Sequence, residues 1–103
     1  MNLKEHIAAQ KVFSLETFGP GERLQGVLDH IRKELVEVEE SQGKDLEEWA
    51  DVFLLVMDGM WRQGFSETEI VEMIEYKFNK NKNRNWPDWR TQPRDKAITH
   101  IKE

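Results

Sequence analysis

The chain has 103 residues, a net charge of −5 and no cysteine, which excludes disulfides and thiolate metal sites. Its 38% hydrophobic and 34% charged residues are typical of a globular protein rather than a disordered one. The longest apolar run, residues 52–57, is far shorter than the roughly 20 residues that a membrane span needs. The first ten residues lack the apolar stretch of a secretory signal. We therefore expect one domain over residues 1–103 and a cytoplasmic location.

Hydrophobic periodicity predicts an all-α fold, a small helical bundle, because no segment alternates with period two for long enough to form a strand. A weakly helical stretch from Leu3 to about Thr17 ends at the Gly-Pro-Gly turn of residues 19–21. The first strong helix runs from about Glu22 to Glu40. Its apolar residues follow alternating steps of four and three: Leu24, Leu28, Ile31, Leu35 and Val38.

A turn at residues 41–44 precedes Asp45, which is a good N-cap for a second strong helix that ends near Gly64. The Ser-Glu-Thr-Glu run at residues 66–69 is a capping box, and it predicts a third helix to about Asn83. The tail holds Trp-Pro-Asp-Trp at residues 86–89, and we expect a last short helix around residues 95–102.

The helix that follows Asp45 is apolar on most of its circumference. One side carries Trp49, Val52, Phe53, Val56 and Met60, and other directions carry Leu54, Leu55 and Met57. In a chain of this size such a helix must be covered from several directions. We expect it to lie in the subunit interface of a homo-oligomer, a dimer or a tetramer. Burial within the core of a helical bundle is the alternative.

Two acidic pairs flank the turn at residues 41–44: Glu34 with Glu37, and Glu48 with Asp51. Residues three apart share a helix face. Counted from Ile31 at about 100° per residue, the apolar stripe spans about −40° to about +60°. Glu34 lies at about −60° and Glu37 at about −120°, so we expect both to lie beside the stripe and to be partly buried. A short turn folds the two helices into an antiparallel hairpin. In this hairpin Glu37 lies at the same height as Glu48, and Glu34 lies at the same height as Asp51. The spacing therefore predicts four carboxylates in two layers.

Four such carboxylates would repel one another unless a cation lay between them. Magnesium or manganese suits a site that has oxygen ligands and neither histidine nor thiolate. The alternative is that these acids lie on solvated faces, since 20 of the 103 residues are acidic. Asp58 lies two turns beyond Asp51 on the same helix face. It is either a further ligand or a residue that is solvated or pairs helices.

A basic segment follows the acidic one. Residues 29–51 hold nine acids and three bases, whereas residues 77–96 hold seven bases and two acids. This asymmetry indicates either two solvated faces or a cation site beside a phosphate site. Lys77, Asn81 and Arg84 follow steps of four and three and form one polar strip of suitable phosphate donors. A cationic last turn that complements the helix dipole is the alternative.

Histidine and aromatic side chains are further binding candidates. His30 lies one turn before the acidic pair and is suited either to a hydrogen bond with nucleotide or ligand carboxylate, or to a subunit interface. Trp86 and Trp89 flank a proline, and each is suited either to stacking on a purine or to pinning the tail to the core. Phe13 and Phe18 have the same two interpretations.

Two acidic motifs carry a family resemblance: K-E-L-V-E at residues 33–37 and E-W-A-D at residues 48–51. They resemble the E-E-x-x-E and E-x-x-D motifs of the MazG-like, all-α nucleoside triphosphate pyrophosphohydrolases, with Lys33 in place of the first glutamate. The wider match includes H-I-R-K-E-L at residues 30–35 and W-P-D-W-R at residues 86–90. It resembles the dATP/dGTP pyrophosphohydrolase subgroup of phage MazZ-like enzymes over about residues 18–101.

The resemblance implies a hydrolase of nucleoside triphosphates, with dGTP and dATP favoured, that cuts between the α and β phosphates and releases a monophosphate and pyrophosphate. It implies magnesium, with manganese as a substitute, held by Glu34, Glu37, Glu48 and Asp51. We assign substrate binding to Lys77, Asn81, Arg84, His30 and Trp86. We expect the protein in the cytoplasm of a bacterium or a phage-infected host cell, without a membrane or nucleic-acid partner.

Two other functions are alternatives. A non-catalytic helical protein could use the basic segment to bind an acidic partner or nucleic acid, and it would show no metal dependence. A ferritin-like di-metal oxidase needs a glutamate three residues before a histidine. The residues three before His6, His30 and His100 are Leu3, Val27 and Ala97, which disfavours the oxidase.

Overall fold

The computed structural model describes residues 1–102, and within this range it contains helices but no β-strand. The prediction of an all-α fold is therefore confirmed. The elements are α1 (Leu3–Phe18), α2 (Leu24–Glu40), α3 (Leu46–Arg62), α4 (Glu67–Lys82) and a 3-10 turn (Trp89–Thr91). Among the described residues, no helix combines the length and apolar character that a membrane crossing requires.

Local sequence signals set both ends of α3 and the start of α4 where they were predicted. The Asp45 carboxylate accepts a hydrogen bond from the Glu47 amide at 3.0 Å and caps α3. Ser66 and Glu69 form the reciprocal capping box at the start of α4, with bonds of 3.0 and 3.1 Å. Gly64, with φ of 99°, follows the end of α3 in a conformation that side chains other than glycine rarely adopt. These ends are therefore fixed by nearby residues.

The start of α2 is two residues later than predicted. Glu22 lies outside the helix, and its carboxylate accepts a hydrogen bond from the Leu24 amide at 2.8 Å. The first amides of a helix lack partners within it, so a carboxylate just before the helix satisfies one of them. Arg23 lies between the two in a left-handed conformation, with φ of 44°.

The predicted helix at residues 95–102 is wrong, because this segment has only a turn at residues 94–96 and is otherwise irregular. The Ile101 amide donates to the Asn85 carbonyl at 2.7 Å. The His100 ring lies edge-on to Trp86, with 6.0 Å between ring centroids. A helix of eight residues is marginal by itself, and these contacts hold the tail in another conformation.

The chain divides into two compact units, residues 1–71 and the residues from 72 onward. The single domain over residues 1–103 stays a prediction. In the first unit α3 packs against both α1 and α2. The core cluster of this unit consists of Ile7, Met57, Trp61 and Ile70. Leu3, Leu54, Met60 and Val71 pack against this cluster. Burial of these side chains is the main stabilising contribution to this unit.

The outer face of α3 remains exposed. Leu46, Trp49, Phe53 and Val56 lie on it at steps of three, four and three, and they are between 42% and 80% exposed. We call these four residues the outer α3 face. Leu55 and Met57 on the same helix are buried, so α3 is covered towards the rest of the first unit and exposed along the outer α3 face.

A buried arginine ties α1 and the loop after it to α3. Arg62 is 6% exposed, and its guanidinium donates to the carbonyl oxygens of Gly19, Gly21 and Ser14 at 2.8–3.2 Å. It also donates to the Ser14 hydroxyl at 2.9 Å. Hydrogen bonds from this one charged group therefore hold the 19–21 loop and the end of α1 in place.

We predict that Arg62→Met lowers the free energy of unfolding by about 3 kcal/mol, because several buried acceptors lose a charged donor. Urea denaturation followed by circular dichroism measures the change. Arg32→Met is the matched control, since Arg32 is exposed on α2, and its effect should stay within about 0.5 kcal/mol. Equal effects of the two substitutions would contradict the assigned role of Arg62.

Candidate metal centre and adjoining cleft

The turn between α2 and α3 sets the geometry of the acidic pairs. Gln42 and Gly43 adopt positive φ values of 57° and 72°, which reverse the chain within a few residues. The Trp49 indole N–H donates to the Gly43 carbonyl at 3.0 Å and ties the start of α3 to the turn. Since α2 and α3 also pack against each other along the hairpin, the acids that face the partner helix are brought together.

Three of the four predicted carboxylates meet. One oxygen each from Glu34, Glu48 and Asp51 lies within 4.8 Å of the others. Glu34 and Glu48 are half-buried, and Asp51 is exposed. We call these three residues the carboxylate group. Like-charged oxygens this close repel one another, and the donor set is the one that hard divalent cations prefer.

Glu37 departs from the prediction. Its side chain is exposed rather than partly buried, and it lies outside the carboxylate group. At about 120° around α2 from Ile31, its position turns away from the buried side. Glu37 still acts on the site through its charge, because it contributes to the electrostatic environment of Glu48.

The pKa of Glu48 is raised from its ordinary value of 4.5. Desolvation is the largest cause, and the negative charges of Asp45, Glu37, Asp51 and Glu34 follow in that order. A carboxylate that is surrounded by acids binds its proton more tightly. The site therefore fits a divalent cation, whose charge would relieve this repulsion.

His30 supports the carboxylate group from α2. Its Nε2 lies 3.4 Å from Glu34 Oε1, one helical turn away. The Phe18 ring packs edge-on against the imidazole, with 6.2 Å between centroids. The predicted placement of His30 beside Glu34 is therefore observed, and its contacts hold the imidazole at the edge of the site.

A cleft of about 240 Å³ adjoins the carboxylate group, between α1, α2 and α3. Glu34 and Asp51 belong both to the group and to the wall of the cleft. The remaining lining residues are Gln10, Phe13, Phe18, His30, Leu54, Leu55 and Asp58. Two aromatic rings and two leucines make most of this wall apolar, which suits a flat organic group next to a charged end.

Asp58 pairs helices. It is 5% exposed, and its carboxylate accepts hydrogen bonds from Gln10, Ser14 and Trp61 at 2.6–2.8 Å. Since Gln10 and Ser14 lie on α1, the bonds join α1 to α3. Of the two interpretations of Asp58 from the sequence, helix pairing is the one observed, although the residue is buried rather than solvated.

Sequence reasoning did not find Gln10 or Ser14. The signal was present in their spacing, because polar residues four apart on a helix share one face. This spacing was not decisive, because α1 has no clear apolar stripe that would identify its buried face and the polar residues on it.

Comparison with known protein families identifies the family of this chain. A family model described as dATP/dGTP pyrophosphohydrolase matches residues 6–103. The chain belongs to the dATP/dGTP pyrophosphohydrolase family. Comparisons with curated proteins and with solved structures gave no significant match. The resemblance inferred from the acidic motifs and the Trp-Pro-Asp-Trp run is confirmed, and the family's name is that of a nucleotide-hydrolysing enzyme.

The predicted phosphate-binding strip of this dATP/dGTP pyrophosphohydrolase family member lies in the second unit and consists of Lys77, Asn81 and Arg84. The Arg84 guanidinium donates to Asn81 Oδ1 at 3.1 Å, and the Trp86 indole donates to the Asn81 carbonyl at 2.7 Å. The positive charge of Arg84 lowers the pKa of Lys77, with smaller effects from desolvation and from Lys80. The predicted strip is thus a cluster of donors, and Trp86 pins the tail through His100.

We predict that Glu48→Gln raises the melting temperature of the metal-free protein at neutral pH. The pKa of Glu48 is higher in the folded than in the unfolded chain, so its ionisation destabilises the fold as pH rises from below 4.5 through the folded pKa. The gain should disappear at acidic pH, where both states hold the proton.

Scanning calorimetry in the presence of a chelator measures this effect. Glu47→Gln is the matched control, because Glu47 is exposed on the same helix turn and lies outside the carboxylate group. A lower melting temperature for Glu48→Gln at neutral pH would show that repulsion within the carboxylate group does not destabilise the metal-free fold.

Proposed function

We propose that the chain is a magnesium-dependent enzyme that hydrolyses dGTP and dATP between the α and β phosphates. The products are the deoxynucleoside monophosphate and pyrophosphate. The observation that carries the proposal is the carboxylate group at the mouth of a mostly apolar cleft. One end of this site suits metal-bound phosphates and the other suits a nucleoside. The family to which the chain belongs supports the same substrate class.

Glu34, Glu48 and Asp51 would hold magnesium, with manganese as a substitute, and Glu37 would add negative charge beside them. Bound ions of this kind neutralise phosphate oxygens, stabilise the leaving pyrophosphate and lower the pKa of a water ligand. His30 keeps the Glu34 carboxylate oriented through their 3.4 Å contact. The apolar wall of the cleft excludes water from the nucleoside side of the site.

Lys77, Asn81, Arg84 and Trp86 are proposed as further substrate-binding residues. The mutual repulsion of Lys77 and Arg84 favours an anion beside them, because a phosphate would relieve it. An ammonium and a guanidinium are both suitable donors for phosphate oxygens. The hydrogen bond from Trp86 to Asn81 keeps the indole beside these donors.

We also propose that the protein is a homo-oligomer, a dimer or a tetramer, that associates through the outer α3 face. Its four apolar residues repeat at coiled-coil spacing and lie exposed on one helix. An apolar stripe of this kind is stabilised when a second copy of the helix covers it. We place the enzyme in the cytoplasm, where the substrates occur.

We predict that the purified protein converts dGTP and dATP to monophosphate and pyrophosphate only when magnesium or manganese is present. Asp51→Asn and Glu48→Gln should each lower kcat/KM by about a hundredfold or more, because each removes an anionic oxygen ligand. Anion-exchange chromatography of the products measures both activity and the bond that is cut.

Glu47→Gln is again the control and should retain activity. Diphosphate with orthophosphate as products would move the cut to the γ phosphate and contradict the proposed reaction. If no triphosphate is hydrolysed with either metal, the non-catalytic interaction protein becomes the better hypothesis.

We predict that Phe53→Glu lowers the molecular mass measured by light scattering, because a charge on the outer α3 face opposes its burial. Val12→Glu is the matched control, since Val12 is 59% exposed on α1 and lies outside that face. An unchanged mass for Phe53→Glu would place the interface elsewhere.

A further inference from the structure

Asp58 is a buried carboxylate with spare hydrogen-bonding capacity that lines the cleft. Oδ1 accepts from the Gln10 amide and from the Trp61 indole, both at 2.8 Å. Oδ2 accepts from the Ser14 hydroxyl at 2.6 Å. A carboxylate has about four acceptor positions, so about one remains on Oδ2. A side chain that is 5% exposed has little water to fill it.

The neighbours of Asp58 are fixed by their own hydrogen bonds. The Gln10 amide nitrogen donates to the Leu54 carbonyl at 2.7 Å as well as to Asp58, so its two hydrogens are both used. Gln10 Oε1 lies 2.9 Å from His6 Nε2. The Ser14 hydroxyl oxygen also accepts a hydrogen bond from Arg62. This bond orients the hydroxyl hydrogen of Ser14 towards Asp58. This end of the cleft therefore offers a rigid acceptor rather than a donor.

The distance along α3 matches the length of a nucleoside. Asp51 and Asp58 are seven residues apart, which is two helical turns or about 10 Å. Leu54 and Leu55 line the cleft between them, and Phe18 lies on another wall. A phosphate end at Asp51 would place a flat base against the apolar side chains and its polar edge at Asp58.

We propose that the cleft binds the base of the nucleotide and that Asp58 selects guanine by accepting a hydrogen bond from its Watson–Crick edge. This inference rests on the proposed function and adds the residue that determines the base. Guanine presents the N1–H and the 2-amino group side by side, and both are donors. Adenine places the N1 lone pair next to its 6-amino group, and that lone pair would face the carboxylate.

The other bases fit less well for the same reason. Cytosine also has a lone pair beside its amino group, and the N3–H of thymine lies between two carbonyl oxygens. A carboxylate has no hydrogen with which to satisfy these acceptors. A hydrogen bond to a charged group contributes about tenfold to a hundredfold in affinity, so guanine should be preferred by about that factor.

The first experiment compares kcat/KM for dGTP and dATP in the wild-type protein and in Asp58→Asn. The substitution keeps the size of the side chain and replaces one acceptor with a donor. The dGTP-to-dATP ratio should fall by about tenfold to a hundredfold. Asp29→Asn is the matched control, since Asp29 is exposed on α2, and the ratio should not change. An unchanged ratio in folded, active Asp58→Asn would overturn the inference.

The second experiment needs no variant, so it does not depend on the folding of Asp58→Asn. The wild-type protein is tested with N1-methyl-dGTP, which lacks the N1 donor, and with 7-deaza-dGTP, which keeps both donors. We expect about tenfold or greater loss of kcat/KM for the first analogue and little loss for the second. Equal use of dGTP and N1-methyl-dGTP would overturn the role of Asp58.

A binding measurement separates this inference from the proposed reaction. Calorimetric titration with dGMP and dAMP requires no hydrolysis, so it tests the base site even if the protein does not cleave triphosphates. Tighter binding of dGMP by about tenfold, lost in Asp58→Asn, supports the inference. Equal affinities for the two monophosphates would overturn it, whether or not dGTP is hydrolysed.

Discussion

Repulsion between carboxylates across the α2–α3 hairpin is a local cost that packing in the first unit must offset. Glu34, Glu48 and Asp51 place oxygens within 4.8 Å of one another. Desolvation, followed by the negative charges around it, raises the pKa of Glu48. Such an arrangement opposes folding, so other interactions must offset its cost. Buried apolar side chains on α3 and hydrogen bonds to α1 provide that stabilisation. The conflict between local repulsion and global packing is typical of a functional site.

Helix α3 connects the parts of this site because its successive turns and its different faces make different contacts. Its first turns carry Glu48 and Asp51, its middle packs into the core through Met57, and Asp58 and Arg62 bind α1 and the following loop. The outer α3 face remains apolar and exposed. Any change in the tilt of α3 would therefore alter the carboxylate group, the cleft and the proposed interface together.

Helix α1 closes the cleft, and polar contacts determine where it lies. Ser14 is bonded to both Asp58 and Arg62, so a hydroxyl links an acid and a base that are both buried. The same arginine holds the 19–21 loop that follows Phe18. A buried network in which nearly all groups have partners specifies one arrangement, because any displacement leaves a charged group unsatisfied. Phe18 is thereby kept against His30, at the edge of the carboxylate group.

The sequence by itself determined the helical fold, most helix ends and the approach of three of the four acidic residues. Capping at Asp45 and Ser66 and the short turn before α3 depend on residues close together in the chain, so local patterns were sufficient. Only the tertiary structure decided that Glu37 is exposed, that residues 95–102 form no helix and that Gln10 meets Asp58. These outcomes depend on which distant side chains pack together, and α1 and the tail carry too little periodicity to reveal their partners.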